Sequence, residues 1–297
     1  MTLVDVRARN QPVRPPGLPD AFESAPLPGA RSLAARFART TLLPAAVAAL
    51  VVAVWLFITY VVLSPQRQFL LPPPQQVVQV GLLNALNRDE ILSALWTTAK
   101  VALVGLSVAI AIGTLFAVAM SQARWAERSL YPWAVVLQTI PILAIIPVIG
   151  FWFQYGFNSR VIVCVLISLF PIVTNTLFGL KSTDQGHRDL FRLRGAGRWK
   201  RLVKLELPGA LPSIFTGWRI SAGLSVIGAI VGDFFFQQGE VGIGRLIDGY
   251  TQNLQSDQLF AAVICSSLLG LFFFWAFGLL SRVVVGSWHE SAKRGPE

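Results

Sequence analysis

Six stretches of this sequence are apolar for about twenty residues or more, at roughly 42–63, 94–120, 131–153, 160–180, 213–236 and 258–281. A helix rises 1.5 Å per residue, so ~20 apolar residues cross a hydrocarbon core of ~30 Å. Inside lipid every backbone N–H and C=O needs a partner within the protein, which limits a spanning chain to helices or a closed barrel. These runs are continuous, not alternating, and predict an all-α integral membrane protein with six transmembrane helices. The composition fits that class, with 54% apolar and 13% charged residues and a mean hydropathy of +0.59.

Six spans put both termini on one side, and the basic residues choose the side. Nineteen Lys and Arg fall in the tails, at Arg124 and Arg128, and in the segment 181–212; only Arg67, Arg88 and Arg245 fall in the opposite connections. Basic residues mark cytoplasmic connections, so both termini are expected in the cytoplasm. The net charge of +10 therefore reads as membrane topology and not as a nucleic-acid stripe. Lys100, Arg160 and Arg219 remain at span ends or inside spans.

The expected organisation is a cytoplasmic tail at 1–41, a membrane domain at 42–281 and a second tail at 282–297. The first tail is rich in Pro, Arg, Ala and Gly, with a candidate interfacial helix at 32–40. The first apolar run begins only after Thr41 and is of spanning length, which favours a retained span over a cleaved signal. Cys164 and Cys265 lie in apolar runs and read as small buried hydrophobes. His187 and His289 have no ligand-spaced partners, so no metal site is expected.

The segment 181–212, KSTDQGHRDLFRLRGAGRWKRLVKLELPGALP, is far longer than a turn requires. A short helix is expected over about 185–194, ended by Gly195 at C′. A second amphipathic stretch is expected to run to Leu207 and stop at Pro208 and Pro212. Charge alone suits a solvated connector, whereas this internal order suits a docking element.

That order resembles the cytoplasmic loop of ABC importer permeases, whose pattern is Glu-Ala-Ala, three residues, Gly, about nine residues, then aliphatic-x-Leu-Pro. Here Asp189, Leu190 and Phe191 take the Glu-Ala-Ala place, followed by Gly195 and Ala196, then Leu205-Glu206-Leu207-Pro208. GAGRWKRLVKLELPGALPSIFTGWRISAGL, FLLPPPQQV (69–77), IPILAIIP (140–147) and FPIVTNTLFGLKS (170–182) are similar to the nitrate, sulfonate and taurine branch. The resemblance covers about 69–281. Bulky Leu190 and Phe191 depart from the two alanines, so the fit to an ATPase groove must differ in detail. The resemblance implies a type I importer permease fold with a coupling helix. It also implies two separate ABC ATPase subunits that bind ATP and Mg, a second permease copy, and an extracytoplasmic substrate-binding protein. Asp189, Leu190, Phe191, Gly195, Ala196, Leu207 and Pro208 are its implied coupling residues. This chain has no Walker A sequence; GLKST at 179–183 lacks the glycine directly before the lysine.

Polar residues inside spans are costly unless they face protein or water, which makes them candidates for a path or gate. Gln138 and Thr139 precede Pro141, whose ring frees a backbone carbonyl. Asn175 lies in a polar cluster with Thr174 and Thr176, suited to interhelical bonding or to lining a path. On the fifth span Gly217, Ser221, Ser225, Gly228 and Gly232 fall within about 80° of one another, a small-residue face for close helix packing. Arg219 and Asp233 lie on the other side, about 21 Å apart along the axis, and cannot pair with each other. Snorkelling to the interface is one expectation for each, and a role in packing or gating against the loop is another for Arg219. Lys100 either snorkels or attracts an anion.

Two rival classes exist. An ion-driven carrier or channel needs an exchangeable intramembrane acid, for which only Asp233 qualifies. An intramembrane enzyme needs a nucleophile–base or metal constellation, and the spans hold none. Within the importer reading the expected cargo is an oxyanion or sulfonate, or a small organic compound such as a thiamine precursor.

Overall fold

The computed structural model describes the backbone of residues 30–286 and the side chains of 42–286. The expectations for 1–29, for the tail after Gly286 and for His289 lie outside the described residues. The described residues fall into two units, divided between Phe57 and Ile58. In the first, α1 (Ala30–Phe57) is one helix, so the stretch 32–40 is its first part and not a separate helix.

The second unit contains α2 (Ala85–Gln122), α3 (Arg124–Thr139), α4 (Ile142–Phe153), α5 (Phe157–Lys181), α6 (Gln185–Leu193), α7 (Arg198–Phe235), α8 (Ile243–Gln252) and α9 (Ser256–Val285). Short helical turns at Pro65–Leu70, Pro74–Val77 and Val78–Leu83 lead into α2. Asn84 caps α2 by accepting the Leu86 amide at 3.0 Å. Among the described residues, five helices are long and apolar enough to span a membrane, six if the bent pair α3–α4 is one span.

That pair gives the interruption expected at Pro141 its form, a sharp bend in the third span. The chain turns by 99° between α3 and α4, at Ile140 and Pro141, both extended. Pro141 removes an N–H and disfavours the α conformation of the residue before it, which ends α3 there. Pro147, by contrast, lies inside α4 without breaking it.

A correction concerns the start of the fifth span. Pro208 and Pro212 do not stop a helix; 198–235 is continuous. A π-helical turn at Leu202–Glu206 ends two positions before Pro208. Its wider winding accommodates the proline ring and the missing donor, as π-bulges do.

The core is the α5–α7 pair, with α2 and α9 packed around it. Val101, Leu106, Cys164, Ile172, Ala222 and Val226 form its centre. Close approach is made by missing side chains. A Cβ on Gly228 would meet the Cys164 Cα at 2.9 Å, and one on Gly217 the Asn175 Cβ at 2.9 Å. Ser221 donates to the Ser168 carbonyl at 2.7 Å. Ser225, also fully buried, donates to its own helix's Ala222 carbonyl at 2.9 Å, and Gly232 lies against the Arg160 backbone.

Candidate functional site

The bundle has two chemically distinct ends. At one end α5 stops and the basic segment begins. Asp184 caps α6, accepting the His187 amide at 3.3 Å. Gly195 ends it at φ +68°, a backbone region that glycine occupies without cost. The amides of Gly195 and Ala196 donate to the carbonyls of Arg192 and Phe191, each at 2.9 Å, the paired bonds of a Schellman cap. Leu190, Leu193 and Trp199 are 49%, 86% and 73% exposed here, an apolar patch among arginines. Asp189 is exposed and pairs with Arg192 on the same helix at 3.4 Å. Leu207 and Pro208 are half-buried at the foot of α7.

At the other end, the loop after Phe235 is fastened by a buried charge cluster. The Arg160 guanidinium, from the first turn of α5, donates to the carbonyls of Phe236 (2.6 Å), Gln238 (3.0 Å) and Glu240 (2.9 Å). Its Nη1 also lies 3.0 Å from Asp233 Oδ1, with side-chain exposures of 2% and 0%. That contact is an ion pair out of hydrogen-bond alignment. Thr98 on α2 donates to Asp233 Oδ2 at 2.6 Å and accepts the Ile243 amide at 2.8 Å. Gly242 and Gly244 leave room for the carboxylate; a Cβ on either would overlap Asp233. Two opposite charges buried together can persist only when paired and hydrogen-bonded, and this pair meets both conditions.

Asp233 therefore does not snorkel; its partner is Arg160, which the sequence left unassigned. Beyond the cluster, Lys100 pairs with Glu240 at 2.6 Å. That hydrogen bond, with further help from Thr97, holds the Glu240 carboxyl below its ordinary pKa. An open cavity of about 940 Å³ lies beside them, lined by Trp96, Arg245 and Tyr250 among others. The Tyr250 hydroxyl, raised in pKa by burial and by its bond to Glu90 at 2.9 Å, closes one side.

The remaining candidates are dispersed. Gln138 and Thr139 are exposed at the end of α3, beside the bend. The Asn175 amide donates to the Pro171 carbonyl of its own helix at 2.8 Å, not across to another helix. Arg219 packs against α9 and not against the loop. Its guanidinium carbon sits 4.0 Å from the centre of the Phe274 ring, in a notch left by Gly278. The structure thus brings Asp233 together with Arg160 and Thr98, whereas Gln138 and Thr139, Asn175 and Arg219 take no part in that cluster.

A bundle of membrane-spanning helices with a capped, exposed helix at one end and a fastened loop at the other defines a multi-pass membrane protein. The chain belongs to the family of binding-protein-dependent transport system inner membrane components, whose pattern it matches over residues 109–285. It is 34% identical over 219 residues to the formylaminopyrimidine transport permease ThiX of Halalkalibacterium halodurans, covering 74% of this chain and 86% of that one. It is 32% identical over 231 residues to the riboflavin permease RibX of Chloroflexus aurantiacus (78% and 85%). It is also 31% identical over 220 residues to the putative aliphatic sulfonates permease SsuC of Escherichia coli (74% and 82%). The chain is a permease subunit of an ABC importer, and is seated in the cell membrane.

Proposed function

We propose that this permease forms half of a two-copy path for a small solute released by an extracytoplasmic binding protein. The path is driven by two separate ATPases that hold the ATP and Mg and dock on α6. Both termini and α6 face the cytoplasm in this reading, supported by the placement of basic residues. One observation carries it: α6 is capped at both ends, yet exposes Leu190 and Leu193 with no covering element of this chain among the described residues. A helix with both ends satisfied and an uncovered apolar face fits a partner's groove, with the contact read at i and i+3 positions. ATP binding closes the ATPase pair, and α6 passes that motion to the spans as a rigid-body switch.

The cargo is a small oxyanion, sulfonate or heterocyclic organic compound; the relatives above are named for a formylaminopyrimidine, riboflavin and aliphatic sulfonates. An ion-driven carrier is disfavoured because Asp233 is held by Arg160 and Thr98 and is not free to exchange an ion. The test is affinity purification through a tag on this chain, followed by ATPase assay. The expected result is a co-purifying ATPase that Gly195→Pro or Asp189→Lys releases or uncouples, while the permease stays in the membrane. A complex with normal transport-coupled hydrolysis in both variants overturns the docking assignment.

A further inference from the structure

We propose that Arg188 is the positioning residue that transmits motion of α6 to the two central helices, with Glu206 as its second anchor; this rests on the docking role of α6. Arg188 lies in the first turns of α6, and its Nη2 donates to the carbonyls of Leu180 at 2.9 Å and Lys181 at 3.3 Å. Those are among the last carbonyls of α5, which lack partners within their own helix and favour a cation. On its other side, Arg188 Nε faces Glu206 Oε1 at 3.9 Å, an ion pair beyond hydrogen-bond reach. Glu206 is only 8% exposed and closes the π turn that opens into the Leu207–Phe235 part of α7.

One guanidinium therefore joins the exposed helix to the ends of both members of the core pair. Among the described residues, Arg188 is the one α6 side chain that hydrogen-bonds or ion-pairs outside 184–196. Without it, α6 hangs on two short connections, Ser182–Asp184 and Gly195–Gly197. Motion imposed on such a helix dissipates in its hinges. With it, displacement of α6 pulls directly on the α5 terminus. It also drags a poorly hydrated carboxylate whose loss of its partner is costly. The planar fork suits this role better than a lysine ammonium, since it reaches two anchors in different directions with donors at fixed angles.

The test uses the complex that co-purifies with this chain, in lipid vesicles. Cys164 and Cys265 are replaced by Ala, and Asn253→Cys, exposed beyond α8, carries an environment-sensitive fluorophore. Trapping with ATP and orthovanadate should change emission at 253 in the otherwise native complex. Arg188→Gln should keep the ATPase chain and its hydrolysis, yet shrink the emission change roughly fivefold or more. Arg188→Lys should recover part of the signal, and Glu206→Gln should lose part. A merely stabilising role predicts the opposite split, with lower thermal stability and an undiminished signal per intact complex. An Arg188→Gln complex with the native signal, or one that has lost its ATPase, overturns the inference. A native complex without any ATPase chain or nucleotide-dependent signal overturns the functional reading on which it stands.

Discussion

Arg160 and Asp233, far apart in sequence, meet at 3.0 Å where the first turn of α5 passes the last turn of α7. Both side chains are buried, and the Arg160 guanidinium also holds the loop carbonyls of Phe236, Gln238 and Glu240. The connection after α7 is thereby fixed to the core and not merely tethered at its ends. Removing one member leaves an uncompensated buried charge, which costs ~3–5 kcal/mol. Arg160→Met alone should therefore destabilise the purified permease by about that amount, and Arg160→Met with Asp233→Leu by clearly less. Denaturant unfolding in detergent of both variants decides; equal losses would mean the pair is not coupled.

Two glycines of α7 have opposite character, one packed against α5 and one facing open space. A Cβ at 228 meets backbone at 2.9 Å, while one at 223 meets nothing within 4 Å. Gly228→Ala should cost about 1–3 kcal/mol through forced separation of the helices, and Gly228→Leu more. Gly223→Ala should gain about 0.5–1 kcal/mol by restricting the unfolded chain. Thermal unfolding of the two alanine variants should shift in opposite directions.

Gly195 and Gly197 make a similar contrast in the basic segment. Gly195 is left-handed, at φ +68°, whereas Gly197 is extended at φ −64° with open space around it. Gly195→Ala should cost roughly 1–2 kcal/mol and loosen α6, read as faster amide exchange over 185–193. Gly197→Ala should leave that exchange unchanged.

The bond and charge of Lys100 depress the Glu240 pKa. A carboxylate with a depressed folded-state pKa stabilises the fold above its ordinary pKa, and loses that contribution as pH falls through the depressed value. The Lys100–Glu240 contact should thus survive mild acidification and fail only in stronger acid. In Lys100→Met, infrared titration of Glu240 should move up toward the ordinary carboxylate range. An unmoved titration means the pair does not form in the membrane.

Topology is open to a direct measurement. Single cysteines at 195 should react with an impermeant maleimide only from the cytoplasmic face, and at 248 only from outside. Labelling at 195 from outside would exclude docking of a cytoplasmic ATPase on α6.

Some of this was legible in one dimension. Span length and side-of-membrane charge are local sums, so apolar runs and basic residues indicated a helical bundle without reference to contacts. The end of α6 was legible for the same reason, since the cap of Gly195 uses carbonyls within four residues. The bend at Ile140 and Pro141 was half legible. Proline marked an interruption, but the 99° turn depends on how α3 and α4 pack. Pro208 misled, because a proline's effect depends on the winding before it, and the π turn that absorbs it has no sequence signature of its own. The charges at 160 and 233 were visible but unpaired. Both sit at the same end of their antiparallel helices, yet only the register of α5 against α7 and the room left by Gly242 and Gly244 bring them together. The sequence determined what crosses the membrane, because hydrophobic transfer adds up residue by residue. Tertiary structure decided which charges could remain inside, because a buried charge is tolerated only where a specific partner is held within reach.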